Sequence, residues 1–357
     1  MAKSLKELRL KIDELDEKIL RLISRRARMA KSIGEAKTRK SDGVLDLVRE
    51  RAVLRAVKGA NPGPLSSAAV EAVFREIISA CRDSQKSVVV GYLGPPGTFS
   101  HEAAVKQFGA TVSLDPLETI ADVFGAVETG RCDYGVVPIE NTTEGAVTPT
   151  LDALTDTTAR VLGEVVVKVE LCLLARTGDQ KKIRRVASHP QPLAQCRNFL
   201  ADRFRGAELQ ATASTTAAAR LAASRPTTAA IGSRLAASIY GLQILADSIQ
   251  DNAGNVTRFL VIGAEAAMKR SGNDRTSLVI SVRDEVGVLE RLLKAFARNG
   301  VNLSMIESRP LLGRRWEYSF FIDVNGHVAD PSVSKALAEI EKVALAAKVL
   351  GSYPIAD

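Results

Sequence analysis

The sequence predicts a multidomain protein in which an all-α segment (residues 1–86), an α/β segment (87–267) and an α+β segment of ferredoxin-like type (275–357) follow one another. Three observations predict it. Apolar side chains recur every three or four residues in the first segment, short β-rich runs alternate with helical stretches in the second, and the third follows a β-α-β-β-α-β order. A chain of 357 residues is long enough to bury more than one core.

In the first segment, Leu5, Leu8, Ile12, Leu15, Ile19, Leu22, Met29 and Ile33 lie on one face of a long amphipathic helix, residues 4–40. A second helix, 46–58, stops at Gly59-Ala60-Asn61-Pro62-Gly63-Pro64, and a third covers 67–85. In the second segment the β-rich runs 88–93, 134–138, 165–174, 185–188, 228–231 and 258–262 read as strands of parallel or mixed sheets. Residues 268–274 are polar and small and read as a linker. The third segment reads as strand 276–283, helix 287–299, strands 301–310 and 316–324, helix 331–344 and strand 347–354.

Composition narrows the function class. With 46% apolar and 25% charged residues the chain is an ordinary globular one. Its opening, Met1-Ala2-Lys3-Ser4-Leu5-Lys6, lacks the apolar core of a secretory signal. The most apolar stretch, 161–175, is interrupted by Glu164, Lys168 and Glu170, so no membrane span is expected. Cys81, Cys132, Cys172 and Cys196 are scattered and read as free thiols, which predicts a cytoplasmic location. The three histidines lack metal-ligand spacing, so neither a metal nor another cofactor is expected. Residues 1–86 hold 20 Lys and Arg against 12 Asp and Glu, while the other 271 residues hold 29 of each. The first segment therefore calls for an anionic partner, either a small acid or a nucleic acid.

Counting by sevens from Leu5 gives Ile12, Ile19, Arg26 and Ile33, so an arginine stands where the pattern assigns core. A buried, unpaired guanidinium is costly, and Arg26 needs an anion: a carboxylate of the bundle or a bound acid. Lys37 lies about 16 Å further along the helix axis, and the two side chains could bracket a small dicarboxylate. Arg9 lies about 25 Å the other way. If Arg9 belongs to the site, a second subunit must supply it, which predicts an intertwined dimer.

The series Leu8-Arg9, Leu15-Asp16, Arg25-Arg26, Ala36-Lys37, Asp46, Arg49-Glu50-Arg51 and Gln85 resembles the all-helical chorismate mutase family over residues 4–86. The resemblance implies that Arg26 and the partner chain's copy of Arg9 grip the two carboxylates. It implies that Lys37 and Gln85 donate to the ether oxygen, and that Glu50 and Asp46 handle the hydroxyl beside Arg49. Cys81 stands where the family has a small hydroxyl residue, a weaker donor in the substrate pocket. A pericyclic rearrangement needs no nucleophile or metal. It needs the substrate folded and charge on the breaking C–O bond stabilised, which fixed cations supply.

In the second segment, Gly94-Pro95-Pro96-Gly97-Thr98-Phe99-Ser100-His101-Glu102 joins a strand to a helix, and its prolines and glycine spacing exclude a dinucleotide loop. Ser100 reads as an N-cap there, leaving backbone N–H groups free for an anion. Hydroxyl-rich junctions recur at Pro138–Gly145, at Ser188-His189-Pro190-Gln191 and at Ile231-Gly232-Ser233. Four such helix starts point to a carboxylate-binding cleft. With Asn255-Val256-Thr257-Arg258-Phe259, these motifs are similar to prephenate dehydratase over residues 88–263, with Asn141-Thr142 in place of Asn-Ser. The resemblance implies two α/β lobes of the periplasmic-binding-protein type, the chain crossing near Gly163 and returning near Gln250. It makes Thr257 catalytic and places Thr98, Ser100, Asn141, Thr142, Ser188, Gln191 and Phe259 at the substrate. Arg258 is either an anchor for a substrate carboxylate or a structural ion pair, and His189 reads as a cap in preference to a general acid.

The third segment, with Asp284-Glu285-Val286-Gly287-Val288-Leu289 and Glu307-Ser308-Arg309-Pro310, resembles an ACT regulatory domain of the type attached to prephenate dehydratases. The resemblance implies side-by-side pairing and an amino-acid effector, phenylalanine, held by Gly287, Val288, Leu289, Glu307, Ser308, Arg309 and Pro310. The whole implies an enzyme acting on chorismate and prephenate, as a homodimer or homotetramer, with no nucleic-acid or membrane partner. Three alternatives remain open on sequence: a nucleic-acid-binding helical protein, disfavoured by 4% aromatic content; a non-catalytic carboxylate or amino-acid sensor; and a dehydratase with a vestigial or regulatory mutase segment.

Overall fold

A computed structural model of the chain describes residues 4–38, 45–264, 269–310 and 317–356; the side chains of Lys37, Thr38 and Glu317 lie outside that description. The chain forms two compact units, Met1–Val88 with Phe108–Ser113, and Val89–Gln107 with Leu114–Asp357.

The first unit is built from α1 (Leu5–Thr38), α2 (Leu47–Gly59) and α3 (Ser67–Asp83). Asp46 caps α2 by accepting from the Arg49 N–H, and Ser66 caps α3 by accepting from the Ala69 N–H. Each such cap is worth about 1 kcal/mol. The third helix ends two residues before its expected end, so Gln85 follows it in a turn. Leu47, Leu54, Ile78 and Cys81 are buried. The apolar face of α1 is not: Leu5 is 66% exposed, Ile12 56% and Leu22 65%.

The second unit begins with a mixed sheet made of β1 (Val89–Leu93), β2 (Ser113–Leu117), β3 (Tyr134–Asn141), β4 (Gly145–Ala146), β5 (Arg160–Lys168) and the later β11 (Val256–Gly263), with helices α4 (Phe99–Phe108), α5 (Ile120–Glu128) and α6 (Thr148–Asp156) between strands. Its order is β2-β1-β3-β11-β5, with β4 on β3; β1 runs parallel to β3, and β11 antiparallel to both its neighbours. A second sheet contains β6 (Cys172–Ala175), β7 (Arg185–Ser188), β8 (Glu208–Ala211), β9 (Thr228–Gly232) and β10 (Gln243–Ala246) in the order β10-β6-β9-β7-β8. It carries α7 (Pro190–Gln195), α8 (Arg197–Arg203), α9 (Thr215–Ser224) and α10 (Arg234–Tyr240).

The expected strand 165–174 is two strands in two sheets, because the chain changes lobe between β5 and β6. Gly163 is therefore not the crossing point: it lies within β5, opposite Val261. The return passes Gln250, whose Oε1 accepts the Leu171 N–H at 3.0 Å and ties the outgoing and returning segments together.

The last sheet has β12 (Asp274–Arg283), β13 (Leu303–Pro310), β14 (Glu317–Asn325) and β15 (Ala346–Pro354) in the antiparallel order β13-β14-β12-β15, with α11 (Val288–Arg298) and α12 (Pro331–Ile340). Side-chain alternation divides its two faces. Leu278, Ile280 and Val282 pack with Leu292, Phe296 and Val333 of the helices, whereas Val279, Phe321, Leu350 and Tyr353 join the core of the first lobe beside Ile139, Leu154 and Leu260.

Candidate active sites

The middle of the second unit holds a cleft of about 380 Å³. Strand pairing builds its centre. Thr257 in β11 stands directly opposite Asn141 in β3, so both side chains leave the same face of the sheet. Asn141 Oδ1 accepts the backbone N–H groups of Thr143 at 2.9 Å and Glu144 at 3.2 Å. That orients its amide: Nδ2 donates to Asn255 Oδ1 at 2.8 Å and to Thr257 Oγ1 at 2.8 Å. Thr257 Oγ1 is thus an acceptor from the protein and keeps its own proton to donate. One residue on, the register shifts between Arg258 and Phe259, leaving Ile139 of β3 as an extra residue. Such a bulge bends the strand and re-aims side chains beside a site.

Phe99, Val147, Val169, Leu171 and Phe259 supply apolar wall, and the starts of α4, α7 and α9 bring Thr98, Ser100, Gln191, Ser214 and Thr215 to the lining. Helix starts present free N–H groups and a positive dipole end, the environment a carboxylate needs. His101 accepts the Gly97 N–H at Nδ1 (3.0 Å) and stacks on Tyr92 with ring centroids 4.8 Å apart. Burial pushes the His101 imidazole below its ordinary pKa, so it holds the Gly94–Gly97 turn in its neutral form.

The structure redistributes several expected roles. Thr98, not Ser100, caps α4, since its hydroxyl accepts the His101 N–H at 3.3 Å, and Ser100 is thereby freed to line the cleft. Ser188 is not at the cleft lining; it is fully buried and donates to the Ile231 carbonyl at 2.8 Å. Ser233 also lies away from the lining, where it caps α10 and donates to the Gly97 carbonyl at 2.8 Å. Thr142 accepts the Val256 N–H at 3.0 Å and fixes the β3–β11 junction from outside the lining. His189 occupies the N-cap position of α7 but makes no side-chain cap bond, and it lines the cleft instead. Arg258 is absent from the lining: its guanidinium bonds Glu164 at 3.2 Å and Asp323 at 2.6 Å. Strand alternation is the reason, because Thr257 and Phe259 face the cleft and Arg258 the opposite side.

Glu144, Gln195, Ser214, Thr215 and Asn255 line the cleft without having been singled out. Ser214 was legible as another hydroxyl before a helical run, and its Oγ accepts the Ala217 N–H at 3.0 Å.

In the helical unit, Arg26 is half-buried and donates from Nη1 to the Ile77 carbonyl at 3.4 Å. Arg9 and Arg49 are exposed, and among the described residues none of these three guanidiniums meets a carboxylate. Glu50 does have a cation: its Oε1 lies 2.7 Å from Nη1 of Arg82, which also donates to the Phe108 carbonyl at 2.6 Å. Burial raises the Glu50 pKa and outweighs the downward pull of Arg82. Arg82, buried on α3 between Cys81 and Gln85, was not anticipated. Gln85 packs over Gly34, where a Cβ would stand 2.9 Å from the Gln85 Cβ. Asp46 is half-buried at its cap, Cys81 is buried, and the Lys37 side chain lies outside the described residues.

In the last sheet, Gly287 adopts φ +79° ahead of α11, a left-handed conformation that suits glycine. Gly287 and Leu289 are exposed and Val288 is half-buried. On the edge strand β13, Ser308 and Pro310 face out, while Glu307 and Arg309 are half-buried. Arg309 Nη2 grips Asp152 at 2.9 and 3.1 Å.

Comparison with known proteins gives three family matches: chorismate mutase type II over residues 8–86, prephenate dehydratase over 90–267 and the ACT domain over 276–342. A bifunctional chorismate mutase/prephenate dehydratase of Aquifex aeolicus is 43% identical, over 98% of this chain and 98% of its own. The protein of the same description from Escherichia coli K12 is 34% identical, over 97% of this chain and 95% of its own. A crystal structure of prephenate dehydratase from Arthrobacter aurescens in complex with L-Phe is 36% identical with a TM-score of 0.70, covering 75% of this chain and 90% of that one.

Proposed function

The chain belongs to the family of bifunctional chorismate mutase/prephenate dehydratases, and from that premise we propose how its residues carry the two steps. It rearranges chorismate to prephenate and converts prephenate to phenylpyruvate, with loss of water and carbon dioxide, under phenylalanine control through the ACT domain.

In the dehydratase step the carboxylate leaving as CO2 releases its electron pair into the ring as the C4–O bond breaks. The Thr257 hydroxyl donates to the departing oxygen. A threonine is a weak acid, so positioning is what makes it useful. The observation that carries this reading is the polarity of the Asn141–Thr257 hydrogen bond: Asn141 can only donate, which aims the Thr257 proton elsewhere. The helix starts at Ser100, Gln191 and Thr215 receive the substrate's carboxylates.

In the mutase step Arg26, Lys37 and Gln85 act with Arg9 of a second copy, and Glu50, held by Arg82, meets the substrate hydroxyl beside Asp46 and Arg49. A homodimer is supported by the exposed apolar face of α1, which a second helix would cover. The edge strand β13, with Gly287–Leu289, offers a second pairing surface, where phenylalanine would sit between ACT sheets and a tetramer could form. Four free cysteines support a cytoplasmic location.

The test is a coupled assay from chorismate, with and without phenylalanine. Loss of chorismate and gain of phenylpyruvate, the latter suppressed by phenylalanine, is the expected result. Consumption of added prephenate with chorismate left intact would remove the mutase assignment.

A further inference from the structure

Arg258 follows Thr257 directly, yet its guanidinium is buried on the far side of β11 among charges from two domains. Glu164 of β5 and Asp323 of β14 each lie between the same two cations. Arg258 reaches them at 3.2 and 2.6 Å, and Arg275 of β12 at 3.4 and 3.5 Å. The dehydratase sheet and the ACT sheet thus each supply one carboxylate and one guanidinium to a shared buried cluster, and the half-exposed Glu140 of β3 reaches Arg258 Nη2 from its rim at 3.4 Å. A charge taken out of water persists only when so compensated, and removal of one member leaves the others buried and unbalanced. Side-chain exposure is 1% for Glu164, 4% for Asp323 and 8% for Arg258.

The ACT carboxylate is itself held. Asp323 Oδ1 accepts from Ser277 Oγ at 2.5 Å, and that hydroxyl pairs with the Tyr353 hydroxyl at 2.6 Å. Glu164 Oε1 accepts the Ala356 N–H at 2.8 Å. The two sheets meet without slack, since a Cβ built on Gly351 of β15 would run into the Val161 carbonyl of β5. Arg258 Nη2 also touches Met305 Sδ at 3.1 Å. Met305 lies on β13, two residues before Glu307, and is paired with Asp323 across β14.

We propose that Asp323, a residue of the ACT sheet, is a positioning residue of the dehydratase reaction: by clamping Arg258 it sets the placement of Thr257, and through its β13 neighbours it is the point at which effector binding reaches the catalytic strand. The inference rests on the reading of Thr257 as catalytic and adds a physical route to it. A shift of β13 against β14 need not travel far, because Met305, Asp323 and Arg258 are in contact and Thr257 is the next residue along.

The test compares Asp323→Asn with the unaltered chain in prephenate turnover and in phenylalanine inhibition, with rates normalised to folded protein. The expected kcat for prephenate falls about tenfold with KM little changed, the mark of lost transition-state placement with ground-state binding retained. The phenylalanine concentration for half-inhibition shifts about fivefold or more in the same variant. A lower kcat with an unchanged phenylalanine response would mean a merely structural carboxylate and overturns the proposal, as does a variant that behaves like the parent. If Asp323→Asn does not fold, Ser277→Ala removes one bond to the same carboxylate and is expected to move both readouts together by about twofold to threefold; movement of neither, or of one alone, is again fatal. Failure of the underlying dehydratase reading would look different, since the unaltered chain would then leave prephenate unconsumed.

Discussion

In the dehydratase cleft the central polar group is already held from within its own chain: Asn141 is fixed by two backbone N–H groups and in turn fixes Thr257. In the helical unit Arg9, Arg26 and Arg49 meet no carboxylate among the described residues, and an apolar helix face lies open beside them. The first arrangement is complete in one chain before substrate arrives. The second has charges and apolar surface still to be satisfied, which an anionic substrate and the proposed second copy would do. The difference teaches where each step is vulnerable. The dehydratase is expected to fail when one hydrogen bond is lost, and the mutase when the proposed second copy is lost.

The sharpest way to break that comparison is at Thr257. Thr257→Ala deletes the hydroxyl that the Asn141 amide orients at the cleft, and kcat for prephenate should fall by about 10²–10³-fold, the usual consequence of losing one preorganised donor. Thr257→Ser keeps the hydroxyl and should retain most of the rate. Chorismate consumption by the same samples serves as the control and should not change. Equal turnover in Thr257→Ala and the parent would remove the residue from the chemistry.

The next test addresses the second copy. Arg9→Ala and Arg26→Ala should each lose about 10²-fold or more of mutase rate. Mixed and allowed to exchange subunits, the two inactive chains should recover up to about a quarter of the parental activity, because half of the dimers are then mixed and each of these rebuilds one of its two symmetric sites. If every site takes both arginines from one chain, mixing restores nothing.

The two regions also differ in how far they could be read in advance. The period of α1 and the order of the last six elements follow from side-chain spacing alone, and the observed bounds differ by a few residues at the ends. The edge strands β2, β8 and β10 were not foreseen, since Ser113–Leu117 contains a proline and an aspartate and owes its strand to a neighbour in β1. Within the cleft, Thr257 and Asn141 were legible because each sits in a compact motif. The role of Arg258 was not, because alternation turns it away from Thr257 but its partner Asp323 comes from a strand of the last sheet, 65 residues further on. Ser100 was misread as a cap for a smaller reason: Thr98, two residues earlier, offers the same chemistry, and only the observed helix start distinguishes them. Arg82 was hidden because its partner Glu50 comes from another helix, 32 residues away.

That Glu50–Arg82 pair supplies the smallest and most local prediction. Glu50 faces the Arg82 guanidinium, yet burial still raises its pKa, with Arg82 opposing. Folding therefore favours the protonated carboxyl. Its contribution to stability is full below the ordinary glutamate range and is lost as pH rises through the raised folded value. Glu50→Gln cannot titrate, so across that window hydrogen exchange of the α2 and α3 amides should depend on pH less steeply than in the parent, after correction for intrinsic exchange. On the acid side of that window, where Glu50 is itself uncharged, the two proteins should differ little. An identical slope in both proteins would mean that Arg82 fully offsets the burial at Glu50.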